Sequence, residues 1–263
     1  LSIDQTLMKA KFHFKKNEMI EAKKLYLVVL QAFPKNLRAQ QGLATLNKTK
    51  QNNVNENPPQ EVIDQLVHLY NQRQFSAVVE QAQEITNKYP KTFIVWNILG
   101  ASAINIGILD KALNAYNKCI LLKPNCAECY YDMGNTLNIQ GKFNQAIKFY
   151  KKSISIKPDY ADAYHNIGVT LIDQDIFDEA IEAFNKALLF KPIYAIAYFN
   201  MGIVLNKQGK FDEAITAYKE ALSIKPDFAD AFNNIGNIFQ DQGKLNEAIQ
   251  VSILKSLKSQ NFR

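Results

Sequence analysis

Three cysteines, Cys119, Cys126 and Cys129, fall within eleven residues of one another. The Cys126-x-x-Cys129 spacing is the one arrangement in the chain with the form of a metal or redox motif. A structural zinc site takes about four ligands, usually two such pairs or one pair with added histidines. Cys119 would be a third ligand, and no histidine lies near in sequence. Packing accounts for the three better: free cysteine behaves as a small hydrophobe, and Cys126 and Cys129 flank a turn into a helix. An odd count in a chain of this length is no disulfide framework, so the expected compartment is reducing and the expected location cytoplasmic. His13, His68 and His165 lie far apart, the first two at or near positions that pack and His165 at one that should face outward. No Ser/His/Asp or Cys/His pairing is suggested, and no G-x-x-x-x-G-K phosphate loop occurs. These residues predict a protein without catalysis, cofactor or metal.

Composition is consistent with that reading. The 263 residues are 47% hydrophobic and 21% charged, enough apolar content to bury a core. No stretch reaches the ~18 apolar residues of a membrane helix, and residues 1–10 have no basic segment followed by an apolar run. The chain opens on Leu1 rather than Met, as expected of a processed chain or a piece of a longer one. Its formal charge of +6 resides in residues 1–58, with ten Lys/Arg against four Asp/Glu, while residues 59–263 are neutral. A nucleic-acid protein spreads basic residues along a binding face and supports them with a motif. No nucleic-acid or membrane partner is therefore expected, and the N-terminal lysines read as a solvated helix face.

The elements that hold these residues follow from a repeat. Pro90, Pro124, Pro158, Pro192 and Pro226 are each 34 residues apart. Units of 34 residues start at 59, 93, 127, 161 and 195, and a sixth from 229 keeps the front half of the pattern. Position 4 is Trp96, Tyr130, Tyr164, Tyr198 or Phe232; position 8 is Gly100, Gly134, Gly168, Gly202 or Gly236; position 20 is Ala112, Ala146, Ala180, Ala214 or Ala248; position 24 is Tyr116, Tyr150, Phe184 or Tyr218. Apolar residues at 4, 7 and 11 form one stripe of a first helix, and position 24 belongs to a second. A glycine inside a helix costs ~1 kcal/mol against Ala, so close helix approach is its expected return. Gly107, Gly141, Gly209 and Gly243, with Asp175 in one unit, suit a left-handed turn between the helices. The proline stops the second helix, and Asp159 or Asp227 is expected to cap the next.

The pattern Trp96-x-x-Leu99-Gly100 with Ala112, Tyr116 and Pro124 resembles the tetratricopeptide repeat. The resemblance implies an all-α fold, a right-handed superhelical solenoid of stacked antiparallel helix pairs. Residues 1–48 read as a basic module of one looser repeat plus a lone helix, 49–58 as a linker, and 59–263 as a six-repeat array. The last unit departs from the pattern at Ser252 and Lys255, as either a self-made cap or a cut end.

In this family the first helices line a concave groove. Position 6 carries Asp132, Asn166, Asn200 and Asn234, and such an Asn row is similar to the one that holds substrate peptides in O-linked N-acetylglucosamine transferases. Each amide offers both a donor and an acceptor to a peptide backbone; the alternative is a plain solvated polar row. Position 5 adds Tyr131, His165, Phe199 and Asn233, and position 9 adds Asn135 and Asn237. Tyr131 and Phe199 are candidate anchors for a partner side chain. Glu128, Asp162, Asp173, Asp230 and Asp241 make the groove more acidic than the chain, so the expected partner is an extended, neutral or basic segment of a protein. The Lys/Arg/Asn clamp of chaperone-docking relatives is not matched. Two function classes follow: a protein-interaction scaffold, or the substrate-recruiting region of a larger glycosyltransferase or sulfotransferase, which regular Lys-Pro-Asp-Tyr-Ala arrays resemble. Self-association through the incompletely capped end suits either.

Overall fold

The computed structural model describes residues 2–16, 18–53 and 57–260, with side chains omitted at 47–53 and 259–260. Among the described residues there are fifteen α-helices and no strand: α1 Ile3–Lys15, α2 Met19–Ala32, α3 Leu37–Asn53, α4 Gln60–Asn71, α5 Phe75–Lys88, α6 Phe93–Asn105, α7 Leu109–Leu122, α8 Ala127–Ile139, α9 Phe143–Ile156, α10 Ala161–Ile172, α11 Phe177–Phe190, α12 Ala195–Lys207, α13 Phe211–Ile224, α14 Ala229–Asp241 and α15 Leu245–Gln260. Among the described residues α1, α2 and α3 pack on one another, and from α6 to α15 each helix packs on the next, so that successive hairpins stack as a helical solenoid. Contacts group the chain into two compact units, residues 1–65 with 85–92, and residues 66–84 with 93–263. The linker expected over 49–58 falls in part on residues 54–56, which lie outside the described set; α3 itself continues to Asn53.

In the first unit, α1 begins with a reciprocal cap in which Ser2 Oγ accepts from the Gln5 N–H and Gln5 Oε1 accepts from the Ser2 N–H. Its core is Leu7, Ala10, Ala22, Tyr26, Val29, Ala39 and Leu46. The Tyr26 ring lies over Gly42 of α3, where a Cβ would meet it at 2.4 Å.

The second unit shows why the repeat needs its glycines. The rings of Tyr116, Tyr150, Phe184 and Tyr218 seat on Gly100, Gly134, Gly168 and Gly202, where a Cβ would come within 2.6–2.8 Å of ring carbon. Ala112, Ala146, Ala180 and Ala214 beside them are fully buried. In the unit that begins at 59 the sizes are exchanged. Leu66 takes the glycine position, Ala82 takes the ring position, and both are fully buried.

Left-handed residues turn one helix into the next: Gly107, Gly141, Gly209 and Gly243 at φ 72–75°, Asp175 at 57° and Arg73 at 59°. After each, an N–H reaches back to a carbonyl near the helix end, as in Ile108 to Ala103 (2.9 Å) and Ile176 to Leu171 (3.0 Å).

Two expectations change here. Asp159 and Asp227 do not cap α10 and α14; the caps are Tyr160 and Phe228, without a side-chain hydrogen bond. Each of these rings is committed to packing on its own repeat, described below, and that places it at the cap. His68 is exposed rather than packed, with its Nε2 2.9 Å from Gln72 Nε2. At the far end, α15 leaves an apolar stripe uncovered. Ile215 is 7% exposed between neighbours, whereas its counterpart Ile249 is 58% exposed, and Leu245, Ile253 and Leu257 are similarly open.

Candidate functional site

The candidate face is built by α8, α10, α12 and α14, the first helices of four successive hairpins. A helical period of 3.6 brings positions 2, 5, 6 and 9 to one side. On α8 these are Glu128, Tyr131, Asp132 and Asn135; on α10, Asp162, His165, Asn166 and Val169.

Position 5 is held by aromatic rings in three repeats. Tyr131 packs on Tyr150 and Tyr160, with centroids 5.9 and 5.0 Å away. His165 packs on Phe184 and Tyr194 at 5.7 and 5.1 Å, and Phe199 on Tyr218 and Phe228 at 5.7 and 4.6 Å. Each trio therefore joins the ring seated on the glycine, the position-5 ring and the ring that caps the next helix. Such tilted contacts are favourable beyond the area they bury. Lys157, Lys191 and Lys225 lie over the capping rings at 4.7, 4.0 and 5.0 Å. The capping aromatics are the residues that groove-position reasoning missed; their recurrence at Tyr160, Tyr194 and Phe228, each 34 apart, was the available signal.

The polar side chains form a chain that crosses repeats. Asn200 Nδ2 lies 3.0 Å from His165 Nε2, and His165 Nδ1 lies 3.1 Å from Asn166 Oδ1. An amide nitrogen only donates. His165 Nε2 is therefore the acceptor, and its proton sits on Nδ1, donated to Asn166. Asn166 Nδ2 then donates to Asn135 Oδ1 (2.7 Å) and Tyr131 Oη (3.0 Å), and the Tyr150 hydroxyl donates to Asn135 Oδ1 (2.9 Å). Each of these contacts pairs one donor with one acceptor when His165 is neutral. At 8% exposure, His165 is a buried link rather than an open groove residue. Burial lowers its pKa from 6.5, against an opposing pull from the Asn166 hydrogen bond and Asp162.

Asp132, Tyr131, His165, Asn135, Asn166 and Asn200 are thus brought together. Asn234 donates to the Tyr218 hydroxyl at 3.2 Å, one repeat further on. Asn233 is exposed and accepts from Lys255 at 2.7 Å, and Asn237 is exposed. Phe199 belongs to its aromatic trio.

Two carboxylates on this face differ. Burial, with Glu128 one turn away, raises Asp132 to about 6. Its carboxylate has no ion pair among the described residues. Asp162 is also pushed up by burial, but hydrogen bonds from Tyr194 and Lys191 prevail and hold it below the usual carboxylate value; Lys191 Nζ lies 3.3 Å from its Oδ1. Among the described residues no three His, Cys, Asp or Glu side chains gather as a metal set. The expectation of free thiols at the start of α8 is corrected: Cys126 and Cys129 are joined by a disulfide, and only Cys119 is a free, buried thiol. A two-residue gap permits both states, so spacing alone did not separate them.

Glycine-seated rings between paired helices, left-handed turns and a period of 34 define a helical repeat protein of the hairpin-stacking class. Sequence profiles described as TPR repeat match residues 134–175 and 202–243, and as tetratricopeptide repeat residues 94–126 and 161–194. A crystal structure of MamA is 31% identical over 62% of this chain and 95% of its own, with a TM-score of 0.57. The chain belongs to the tetratricopeptide-repeat family. YrrB, described as a TPR protein with an unusual peptide-binding site, aligns at 20% identity over 68% of this chain and 93% of its own, TM-score 0.54. PilF of Pseudomonas aeruginosa aligns at 15% over 77% and 95%, TM-score 0.63. These last two show the shared fold. No curated protein matches the chain by sequence. Members of this family are protein-interaction scaffolds, and no helix among the described residues is long and apolar enough to cross a membrane.

Proposed function

We propose that the protein is a non-catalytic scaffold that holds an extended, basic segment of a partner protein along the face of α8, α10, α12 and α14. The observation that carries this is Asp132. A half-buried carboxylate beside Glu128, with no cation of its own among the described residues, is an electrostatic vacancy that a ligand's Lys or Arg fills. The hydrogen-bonded chain from Tyr150 to Asn200 supports the reading, because it holds the position-6 side chains of Asn166 and Asn200 in fixed orientations before any ligand arrives. That lowers the ordering cost of binding. Among the described residues no hydrogen bond occupies the amide oxygens of Asn200 and Asn234, which suit a ligand's backbone N–H.

Spacing sets the ligand's length. Packed helices lie ~8–10 Å apart, and an extended chain advances ~3.3 Å per residue. One repeat thus reads about three residues, and the row from Asp132 to Asn234 reads about ten. The test is fluorescence anisotropy with labelled twelve-residue peptides of basic, neutral and acidic composition. Basic peptides should bind tightest, and both Asp132→Asn and the Asn166/Asn200/Asn234→Ala triple variant should weaken them with helix content intact. Preference for acidic peptides, or binding indifferent to both variants, would sink the proposal.

A further inference from the structure

The disulfide at the start of α8 has the asymmetry of a working redox pair. Cys126 is the N-cap of α8, and its Sγ accepts a hydrogen bond from the Cys129 N–H at 3.1 Å. Cys126 is partly exposed, whereas Cys129 is fully buried. An attacking thiolate needs access to the sulfur it strikes, and only Cys126 offers it. The bond closes a loop of two intervening residues, so it restrains the unfolded chain little and its opening requires no unfolding. The cap survives reduction, because a Cys126 thiolate is a stronger acceptor for the same N–H and sits at the positive end of a helix dipole. Glu128 Oε2, 4.0 Å from Cys126 Sγ, opposes that thiolate. Cys119, the third thiol, is fully buried on α7 and takes no part.

We infer that Cys126 and Cys129 form a thiol–disulfide exchange site, attacked at Cys126 and resolved by Cys129, whose reactant is a small thiol or dithiol. A thiolate RS⁻ attacks Cys126 Sγ, forming R–S–S–Cys126 and breaking the internal bond. Cys129 leaves as a thiolate and takes a proton. A second RS⁻ attacks the sulfur of R, giving R–S–S–R and the Cys126 thiolate. Two electrons pass from two thiols to the disulfide. In the closing direction Cys129 attacks Cys126 and expels RS⁻.

The experiment uses the full chain in graded mixtures of reduced and oxidised dithiothreitol, rapid maleimide trapping, intact and peptide mass spectrometry, and circular dichroism on the same samples. Cys126 and Cys129 should convert together and reversibly with the helical signal unchanged, while Cys119 labels only in denaturant. With oxidised glutathione, Cys129→Ser should carry one glutathione on Cys126, and Cys126→Ser should carry none on Cys129. Full labelling of both cysteines in oxidised dithiothreitol would overturn the inference. So would opening only after helix is lost, or glutathione on Cys129. The wild-type titration decides even where a variant fails to fold, and no arm depends on peptide binding.

Discussion

Asp132→Asn should stabilise the protein at neutral pH and leave it unchanged in acid. The site already accepts the side chain, since the next three repeats carry Asn166, Asn200 and Asn234 at the same position. The folded state raises the Asp132 carboxyl from 3.8 to about 6. At 1.36 kcal/mol per pKa unit, ionising it inside the fold costs ~3 kcal/mol, and partial exposure to solvent reduces this to ~1–2 kcal/mol. Because the folded value is the higher one, the folded state binds more protons between pH 3.8 and 6, and stability falls as pH rises through that window. Asparagine never ionises and escapes the cost. Urea unfolding of both proteins at pH 3.5, 5 and 8 measures it. The variant should match wild type at pH 3.5 and exceed it by ~1–2 kcal/mol at pH 8. A difference that is constant with pH, or of opposite sign, would refute the reasoning. The same variant should bind basic peptides more weakly, the trade of stability against function expected at a binding site.

Gly202→Ala places a Cβ 2.6 Å from the Tyr218 ring, whereas Gly236→Ala meets nothing within 4 Å. Thermal unfolding should show the first destabilised by ~1–3 kcal/mol through overpacking and the second stabilised by ~0.5–1 kcal/mol through helix propensity; equal effects would contradict the ring-on-glycine packing. Asp175→Gly removes a side chain from φ 57° and should add ~0.5–1 kcal/mol by chemical denaturation, its contact with Lys207 being exposed and weak. For His165, nitrogen-15 spectra at pH 7 should show the proton on Nδ1 and Nε2 bare. Its folded pKa lies below the usual 6.5, so the stability it contributes is present above that value and lost as pH falls through the folded one. A stability profile over pH 4–7 that His165→Gln leaves unaltered would contradict this.

Much of the fold was legible because a 34-residue period repeats every structural constraint several times. The small residue at position 8 predicted close helix approach, and Tyr116 on Gly100 realises it. Periodicity assigns a residue to a face but does not name its partner. Tyr26 shows the limit. Ala10 stands where later repeats have glycine, and the ring turns instead to Gly42 on the following helix. Leu66 and Ala82 exchange sizes, which a search for glycine passes over. Arg73 adopts a left-handed conformation that composition does not announce. At the candidate face, position 5 suggested an open place for His165, and the structure instead buries its ring. Its enclosure depends on Tyr194, 29 residues later, and on Phe184 across the hairpin. Those contacts belong to tertiary structure, beyond the reach of a helical period.

The regular part of each repeat builds the solenoid, so whatever distinguishes this protein must come from departures at positions the core does not use. Three of them lie between residues 126 and 165. Asp132 stands where the preceding repeat carries Ile98 and the next three carry Asn, and it brings a charge without a counterion among the described residues. His165 stands where its neighbours carry Tyr131 and Phe199, and its two ring nitrogens join the position-6 amides of Asn166 and Asn200. Cys126 stands where the next three repeats carry capping aromatics, and it puts a disulfide sulfur at the cap in place of a ring. His165 reaches Tyr131, the residue before Asp132, through Asn166. On the proposed function, the side chains a ligand meets around Asp132 are oriented in part by His165, one repeat away. Removing His165 should consequently weaken basic-peptide binding even though its ring is buried and touches no ligand.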